Sequence, residues 1–224
     1  SSNMSVSSTL TVYSGGTVTS TSASLNFADV TSTGSIGTNT GSIAASSTFQ
    51  NNGTFNIGIG SASTSGAFTN ATGSTFLIAT GGTATSSGTF QNGGTLNNGG
   101  GTFVALANVT STGTYTTSTI STFRLAGAND QLVTGLFFNN LEVQKTAGIV
   151  TVIASDAAVV GQLNSSSTGW TLASAAQNLT VTGPSWVGGG TVTSTSGTLT
   201  FTGAASSTGS IGTQTGVLAF NSTV

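Results

Sequence analysis

One pattern recurs through the middle of the chain: an aromatic residue, then turn-forming residues, then a second large apolar residue. The pattern reads FQNNGTF from Phe49, FTNATGSTF from Phe68, FQNGGTL from Phe90, YTTSTISTF from Tyr115 and FNNLEV from Phe138. The starting aromatics therefore recur about every 20 to 25 residues, and a period of this length without a helical segment is typical of one coil of a parallel β-solenoid. The pattern predicts stacked coils between residues 49 and 140.

Stacking of such coils places equivalent residues above one another, about 4.8 Å apart. We therefore expect Phe49, Phe68, Phe90 and Phe138 to point inward in successive coils as a structural core, with Tyr115 in the same column. The Asn and Gly residues after each aromatic suit coil corners, because both tolerate the left-handed backbone region.

The rest of the chain also has the character of β-structure. Short runs such as STLTVYS, ASLNFAD, NLTVTG and GTLTFTG alternate apolar with polar residues and end in turn-forming residues. Ser and Thr number 80 of 224 residues, and Thr, Val and Phe favour strands. We predict an all-β fold with almost no helix.

A long-range duplication sets a second period. TGSIGTNTG at residues 33–41 returns as TGSIGTQTG at residues 208–216. With one insertion, 22 of the 35 positions from Gly15 to Phe49 are identical to their counterparts from Gly189 onward. We interpret residues 1–14 as the end of one repeat, 15–188 as a full repeat and 189–224 as the start of the next. The two copies are expected to share a local fold and to belong to a longer array.

Two other all-β architectures remain open at this point. From Leu141 onward the apolar segments recur about every 8 to 12 residues, which also suits a β-sandwich. A pilin-like sandwich joined by donated strands would likewise give a filament.

Charge is nearly absent from the chain. The six charged residues are Asp29, Arg124, Asp130, Glu142, Lys145 and Asp156. Nucleic acids and anionic lipids are bound by clustered Lys and Arg, so neither is an expected partner. No run of 18 apolar residues occurs, and no membrane span is predicted.

The residue types needed for catalysis are scarce. The chain has no His and no Cys, which removes the usual nucleophilic triads and thiolate metal sites. No two acidic residues lie within ten positions of each other. We predict no enzyme activity, no cofactor and no metal site.

One charged pair is expected to be structural. Arg124 in FRLAG and Glu142 in LEVQK each lie between apolar residues, so both point outward if their neighbours point inward. The distance between them along the chain is close to the length of one coil. We predict that they can form an ion pair between adjacent coils.

The sequence between about Thr48 and Gly183 resembles the sequences of a known kind of protein. TFQNNGTF, GTFQNGGTL and the segment from FFNNLEVQKTAGIV through WTL to NLTVTG are similar to the Ser/Thr/Gly/Asn-rich repeats of very large secreted bacterial surface proteins, both adhesin-like and fibre-forming. The resemblance implies an exported, elongated, repetitive protein displayed outside the cell. It implies no particular ligand.

We therefore expect a structural segment of an extracellular filament, stalk or adhesin shaft. It would associate end to end or continue in a longer chain. The alternative is a binding module, either for glycans and other cell surfaces, with Tyr13, Trp170 and Trp186 as candidate aromatics, or for ice. Ice binding on solenoids uses regular Thr ladders, whereas the Thr-x-Thr triplets here, at Thr17, Thr31, Thr38, Thr83, Thr110 and Thr191, are irregularly spaced.

Overall fold

The computed structural model describes residues 2–135, 137–152, 157–165 and 168–221. Within these ranges the secondary structure consists of short strands, and no helix occurs. Neighbouring strands pair in parallel, each with the equivalent strand of the next coil. The predicted all-β, parallel β-solenoid is confirmed. The sandwich alternatives are wrong, because sandwiches are built from antiparallel sheets.

The chain divides into two compact units. Unit 1 comprises Ser1–Ala105 and Thr110–Ser121, and unit 2 comprises Leu106–Val109 and Thr122–Val224. The repeat boundaries expected at residues 14 and 188 stay predictions.

Unit 1 consists of six coils of three strands each, except that Val109, the first residue of β17, belongs to unit 2. In chain order the strands are β1 (Met4–Val6), β2 (Leu10–Val12), β3 (Thr17–Ser20), β4 (Ser24–Phe27), β5 (Val30–Ser32), β6 (Ser35–Thr38), β7 (Ser42–Ala45), β8 (Phe49–Asn51), β9 (Thr54–Ile57), β10 (Ser61–Thr64), β11 (Phe68–Asn70), β12 (Thr75–Ile78), β13 (Thr83–Ser86), β14 (Phe90–Asn92), β15 (Thr95–Asn98), β16 (Thr102–Ala105), β17 (Val109–Ser111) and β18 (Thr114–Thr117). Face A contains β1, β4, β7, β10, β13 and β16, face B contains β2, β5, β8, β11, β14 and β17, and face C contains β3, β6, β9, β12, β15 and β18.

Unit 2 consists of five coils. Its strands are β19 (Thr122–Gly127), β20 (Gln131–Thr134), β21 (Asn140–Lys145), β22 (Ile149–Val152), β23 (Ala157–Val159), β24 (Leu163–Ser165), β25 (Thr171–Ala173), β26 (Leu179–Val181), β27 (Ser185–Val187), β28 (Thr191–Ser194), β29 (Leu199–Phe201), β30 (Ala205–Ser207), β31 (Ser210–Thr213) and β32 (Leu218–Phe220). Face D contains β19, β21, β24, β27 and β30, face E contains β20, β22, β25, β28 and β31, and face F contains β23, β26, β29 and β32. In the first coil the place of a strand on face F is taken by a single bridge from Phe138 to Val159.

Coil length varies while the register is kept. Phe49 pairs with Phe68 and Phe68 with Phe90, although the second of these steps is longer along the chain than the first. The extra residues lie in the turns between strands. A side chain on a strand therefore keeps its position in a row whatever the length of the coil.

The core of unit 1 is largely aromatic. The rings of Phe49, Phe68 and Phe90 follow one another on face B at centroid distances of 5.0 and 5.2 Å. Phe55 and Phe76 on face C stack at 5.0 Å and meet the first three rings inside the coils. Large apolar side chains pointing inward from two faces exclude water from the centre of each coil, which is the main stabilising contribution expected for such a unit.

A ladder of buried asparagines runs beside these rings. Asn51 donates through Nδ2 to Oδ1 of Asn70, and Asn70 donates in the same way to Asn92, both at 2.7 Å. Asn92 in turn donates to the Ser111 hydroxyl at 3.0 Å. None of the three asparagines has a positive φ. The sequence analysis explained these asparagines by their tolerance of the left-handed backbone region, and that explanation is wrong. Their side chains instead link the buried corners of successive coils.

The core of unit 2 is mainly aliphatic. Val150, Leu172 and Val192 form the inward row of face E, and all three are fully buried. The residue that begins this row is polar, since Gln131 pairs with Val150. Beside it lies Lys145, whose side chain is also fully buried.

The duplicated sequences fold alike within their own units. β3 to β7 in unit 1 correspond in order to β28 to β32 in unit 2. Val18 pairs with Ile36 just as Val192 pairs with Ile211. The expected common local fold is therefore present at the level of strands and register.

Candidate functional site

All five predicted core aromatics are buried. Phe49, Phe68 and Phe90 form one column on face B, as described above. Their relative exposures are 2%, 3% and 0%, so these side chains serve packing and are not available to a ligand.

Tyr115 and Phe138 lie outside that column, and the expectation of one aromatic row is wrong for them. Tyr115 is on β18 of face C, where it pairs with Leu96. Phe138 lies in unit 2 and bridges to Val159. The recurrent sequence pattern marks the start of β8, β11 and β14, but its aromatic at Tyr115 occupies the position of the second apolar residue, on the following face.

Arg124 and Glu142 form an ion pair on face D. The two residues are register partners on β19 and β21, and Arg124 Nε lies 2.7 Å from Glu142 Oε2. Gln144 donates to the other carboxylate oxygen of Glu142. The side chains are 34% and 19% exposed, so this is a surface network between adjacent coils.

The same outward row continues across the next two strands. Glu142 pairs with Asn164 on β24, and Asn164 pairs with Trp186 on β27. Asn164 is exposed, and Trp186 is 43% exposed. We call Arg124, Glu142, Asn164 and Trp186 the face D row. It places an ion pair, an amide and an indole side by side.

The other two candidate aromatics do not belong to such a row. Trp170 is 2% exposed, and a side chain at Gly190 would collide with its ring, since a Cβ there would be 2.0 Å from Trp170 Cε2. Trp170 is therefore a core residue. Tyr13 is 75% exposed in unit 1, at a turn after β2.

Lys145 is a buried cation with neutral acceptors. Its Nζ donates to the Asn129 carbonyl oxygen at 2.6 Å and to Gln131 Oε1 at 2.9 Å. Burial lowers the pKa of Lys145 from its ordinary value, and the negative charge of Asp130 partly opposes this change. Sequence reasoning missed this cluster, because nothing in LEVQK shows that β21 continues inward to the lysine.

A row of hydroxyl groups runs along face C of unit 1. The register partners in this row are Thr17, Ser35, Thr54, Thr75, Thr95 and Thr114. The parallel outward row is mixed and contains Thr19, Gly37, Asn56, Leu77, Asn97 and Thr116. The irregular spacing of threonines in the sequence therefore does not prevent a regular row in space, because coils of different length keep the same register.

Potential metal ligands are dispersed over the described part of the chain. There, no group of three His, Cys, Asp or Glu side chains lies close enough to hold a metal ion. Asp156 falls outside the described residues. Across the ranges that the structure covers, no helix has the length and apolar character needed to cross a membrane.

Surface features of the described residues that could contact a ligand include the face D row, the hydroxyl row of face C and the exposed Tyr13. Comparisons with protein-family models, with curated proteins and with solved structures gave no significant match.

Proposed function

We propose that this chain is a structural segment of an extracellular filament, stalk or adhesin shaft built from tandem β-solenoid repeats. The observation that carries the proposal is the duplication: two sequences in different units form the same five strands with equivalent registers. A repeat that folds the same way in two places is a module that can be added serially, as in other solenoid arrays.

The surface chemistry supports this role. The chain has two basic and four acidic residues, and its outward positions are mostly Ser, Thr, Asn and Gln. A nearly neutral surface produces little repulsion between neighbouring copies and little dependence on salt. Such a surface suits a shaft outside the cell, in agreement with the resemblance to secreted repeat proteins, and it offers no basis for nucleic-acid binding or catalysis.

The proposal can be tested with a doubled chain, in which residues 1–188 are followed directly by residues 15–224. The junction reads GGGTVTSTS, as it does at residues 188–196 of the original chain. We expect a soluble particle that is longer by one repeat in negative-stain images and has the same width. A control joins residues 1–188 to residues 25–224, which breaks the order of faces at the junction. If the doubled chain collapses or aggregates while the original chain stays folded and soluble, the result contradicts serial addition.

The hydroxyl row of face C favours a second function, binding to ice. Five threonines and one serine, aligned about 4.8 Å apart, present methyl and hydroxyl groups at a regular spacing on a rigid face. The double change Thr54→Tyr and Thr75→Tyr would interrupt the row, while Thr31→Tyr and Thr69→Tyr on face B provide the matched control. Inhibition of ice growth by the original chain, lost only in the first variant, would support this function. The absence of any such inhibition would exclude it.

A further inference from the structure

The face D row differs in chemistry from the other outward surfaces of the chain. Most outward positions carry hydroxyl groups, whereas this row brings together Arg124, Glu142, Asn164 and Trp186 on four neighbouring strands. The row lies entirely in unit 2. Planar hydrogen-bonding groups beside an exposed aromatic ring are the side chains expected of a binding surface, because a few oriented polar groups give specificity and the ring gives contact area.

Trp186 is held in place by its own strand end. A Cβ atom at Gly188 would lie 2.9 Å from the indole Nε1 and 3.5 Å from Cε2, so the ring lies close against the backbone at Gly188. The indole is nevertheless 43% exposed. A ring fixed along one edge and open to solvent loses little conformational entropy when a ligand stacks on it.

A shallow groove lies beside this ring. It is lined by Gln162, Leu163, Asn164, Pro184, Ser185 and Trp186. The groove offers two amide side chains that both donate and accept hydrogen bonds, next to the apolar surfaces of the indole and the proline. This combination matches a sugar ring, which has hydroxyl groups at its rim and C–H groups on its faces.

The charges of the row point to an uncharged ligand. Arg124 and Glu142 neutralise each other at 2.7 Å, and Gln144 also engages the carboxylate. No net charge is left to attract a phosphate or an acidic peptide, while the outer edges of these planar groups remain partly exposed. The step between neighbouring strands, about 4.8 Å, is close to the length of one pyranose unit in an extended chain.

We propose that the face D row binds an extended oligosaccharide of neutral pyranose units that crosses β27, β24, β21 and β19. One sugar stacks on Trp186, the next hydrogen-bonds to Asn164, and the following units contact Glu142 and Arg124. The site is contained in unit 2 and does not depend on the proposed role in a shaft, so either proposal can fail without the other.

The test uses the full 224-residue chain and hexasaccharides of β-1,4-linked glucose, N-acetylglucosamine, xylose and mannose, with α-1,4-linked glucose as a further probe. Binding is measured by calorimetry and by tryptophan fluorescence at sugar concentrations up to about 5 mM. We expect at least one sugar to bind and to change the emission of Trp186. The change Trp186→Ala should weaken that binding by at least about tenfold, and Asn164→Ala by less.

Two further variants separate a binding role from a structural one. Trp186→Phe keeps an aromatic ring on the exposed side of β27, and we expect it to bind the sugar more tightly than Trp186→Ala does, with the thermal transition of both variants almost unchanged. Tyr13→Ala removes an exposed aromatic from unit 1 and should leave binding intact. The proposal is overturned if no probe binds, if Trp186→Ala binds as the original chain does, or if Trp186→Ala changes only the association of copies with one another.

Discussion

The two units use the same coil but stabilise its interior differently. Unit 1 has rings in successive coils and a buried asparagine ladder beside them. Unit 2 has mainly aliphatic rows and places Lys145 and Gln131 inside. In unit 1 each buried polar side chain of the ladder bonds to its own equivalent in the next coil. In unit 2 Lys145 on β21 bonds to Gln131 on β20, so this cluster joins two adjacent coils, and further buried serines lie apart from it at Ser174 and Ser194.

The largest effect should come from removing a ring in unit 1. Phe68 contacts the rings of Phe49 and Phe90, and Phe68→Ala should lower the free energy of unfolding by about 3–5 kcal/mol. The aliphatic counterpart in unit 2, Leu172→Ala, should cost about 2–5 kcal/mol. Denaturant unfolding of each variant measures these losses. Thr69→Ala, at the outward neighbour, is the control and should change stability by less than about 0.5 kcal/mol.

The second effect concerns the asparagine ladder. Asn70→Ala removes an acceptor from Asn51 and a donor from Asn92, so two buried amides lose a partner. Each such loss costs about 1–3 kcal/mol. Hydrogen exchange should rise in β8, β11 and β14 and stay unchanged in unit 2. Asn56→Ala, on the exposed side of β9, should have little effect. If Asn70→Ala and Asn56→Ala lower the free energy of unfolding equally, the ladder does not stabilise unit 1.

Alkaline pH should affect the two units in opposite directions. Burial raises the pKa of Tyr115 above its ordinary value of 10.0, with a hydrogen bond to Asn98 opposing the change. Unit 1 thus keeps this contribution to stability below pH 10 and loses it as the pH rises further. Burial lowers the pKa of Lys145 below 10.5, so unfolded unit 2 binds more protons just below that pH. The stability of unit 2 should therefore increase as the pH rises towards 10.5.

Hydrogen exchange between pH 9 and 11, corrected for the intrinsic exchange rates, measures the stability of each unit separately. Tyr115→Phe should abolish the loss of stability of unit 1 at alkaline pH. Lys145→Met should abolish the gain in stability of unit 2 over the same pH range. A pH response of unit 2 that survives Lys145→Met would show that another group is responsible.

The smallest effect is expected at the surface ion pair. Arg124→Ala should lower the free energy of unfolding by about 0.2–1 kcal/mol, since both side chains are partly exposed and the pair is screened by salt. A double-mutant cycle with Glu142→Ala isolates the pair energy. A coupling energy well above this range would mean that the face D row is more rigid than its exposure indicates.

Much of the fold could be predicted from the sequence, because strand-forming residues and a period of about 20 to 25 residues both restrict the chain to short stacked strands. The period also identified Phe49, Phe68 and Phe90 as one column. The period placed Tyr115 in the wrong row. The turn after this residue contains no asparagine, and nothing else in the sequence indicates on which face the ring lies. Apart from its ion pair, the face D row could not be predicted. The pairing of Glu142 with Asn164 and of Asn164 with Trp186 depends on the lengths of the turns between strands, and no sequence pattern determines those lengths.

Constant register with variable turn length has a consequence for how such a gene can change. Removing residues 68–89 would bring Phe90 directly after Ala67 and over Phe49, so the row on face B would close without a gap. Removing half as many residues would instead transfer every following strand to a different face. Whole coils are therefore the lengths of coding sequence that recombination can insert or delete while leaving an intact protein.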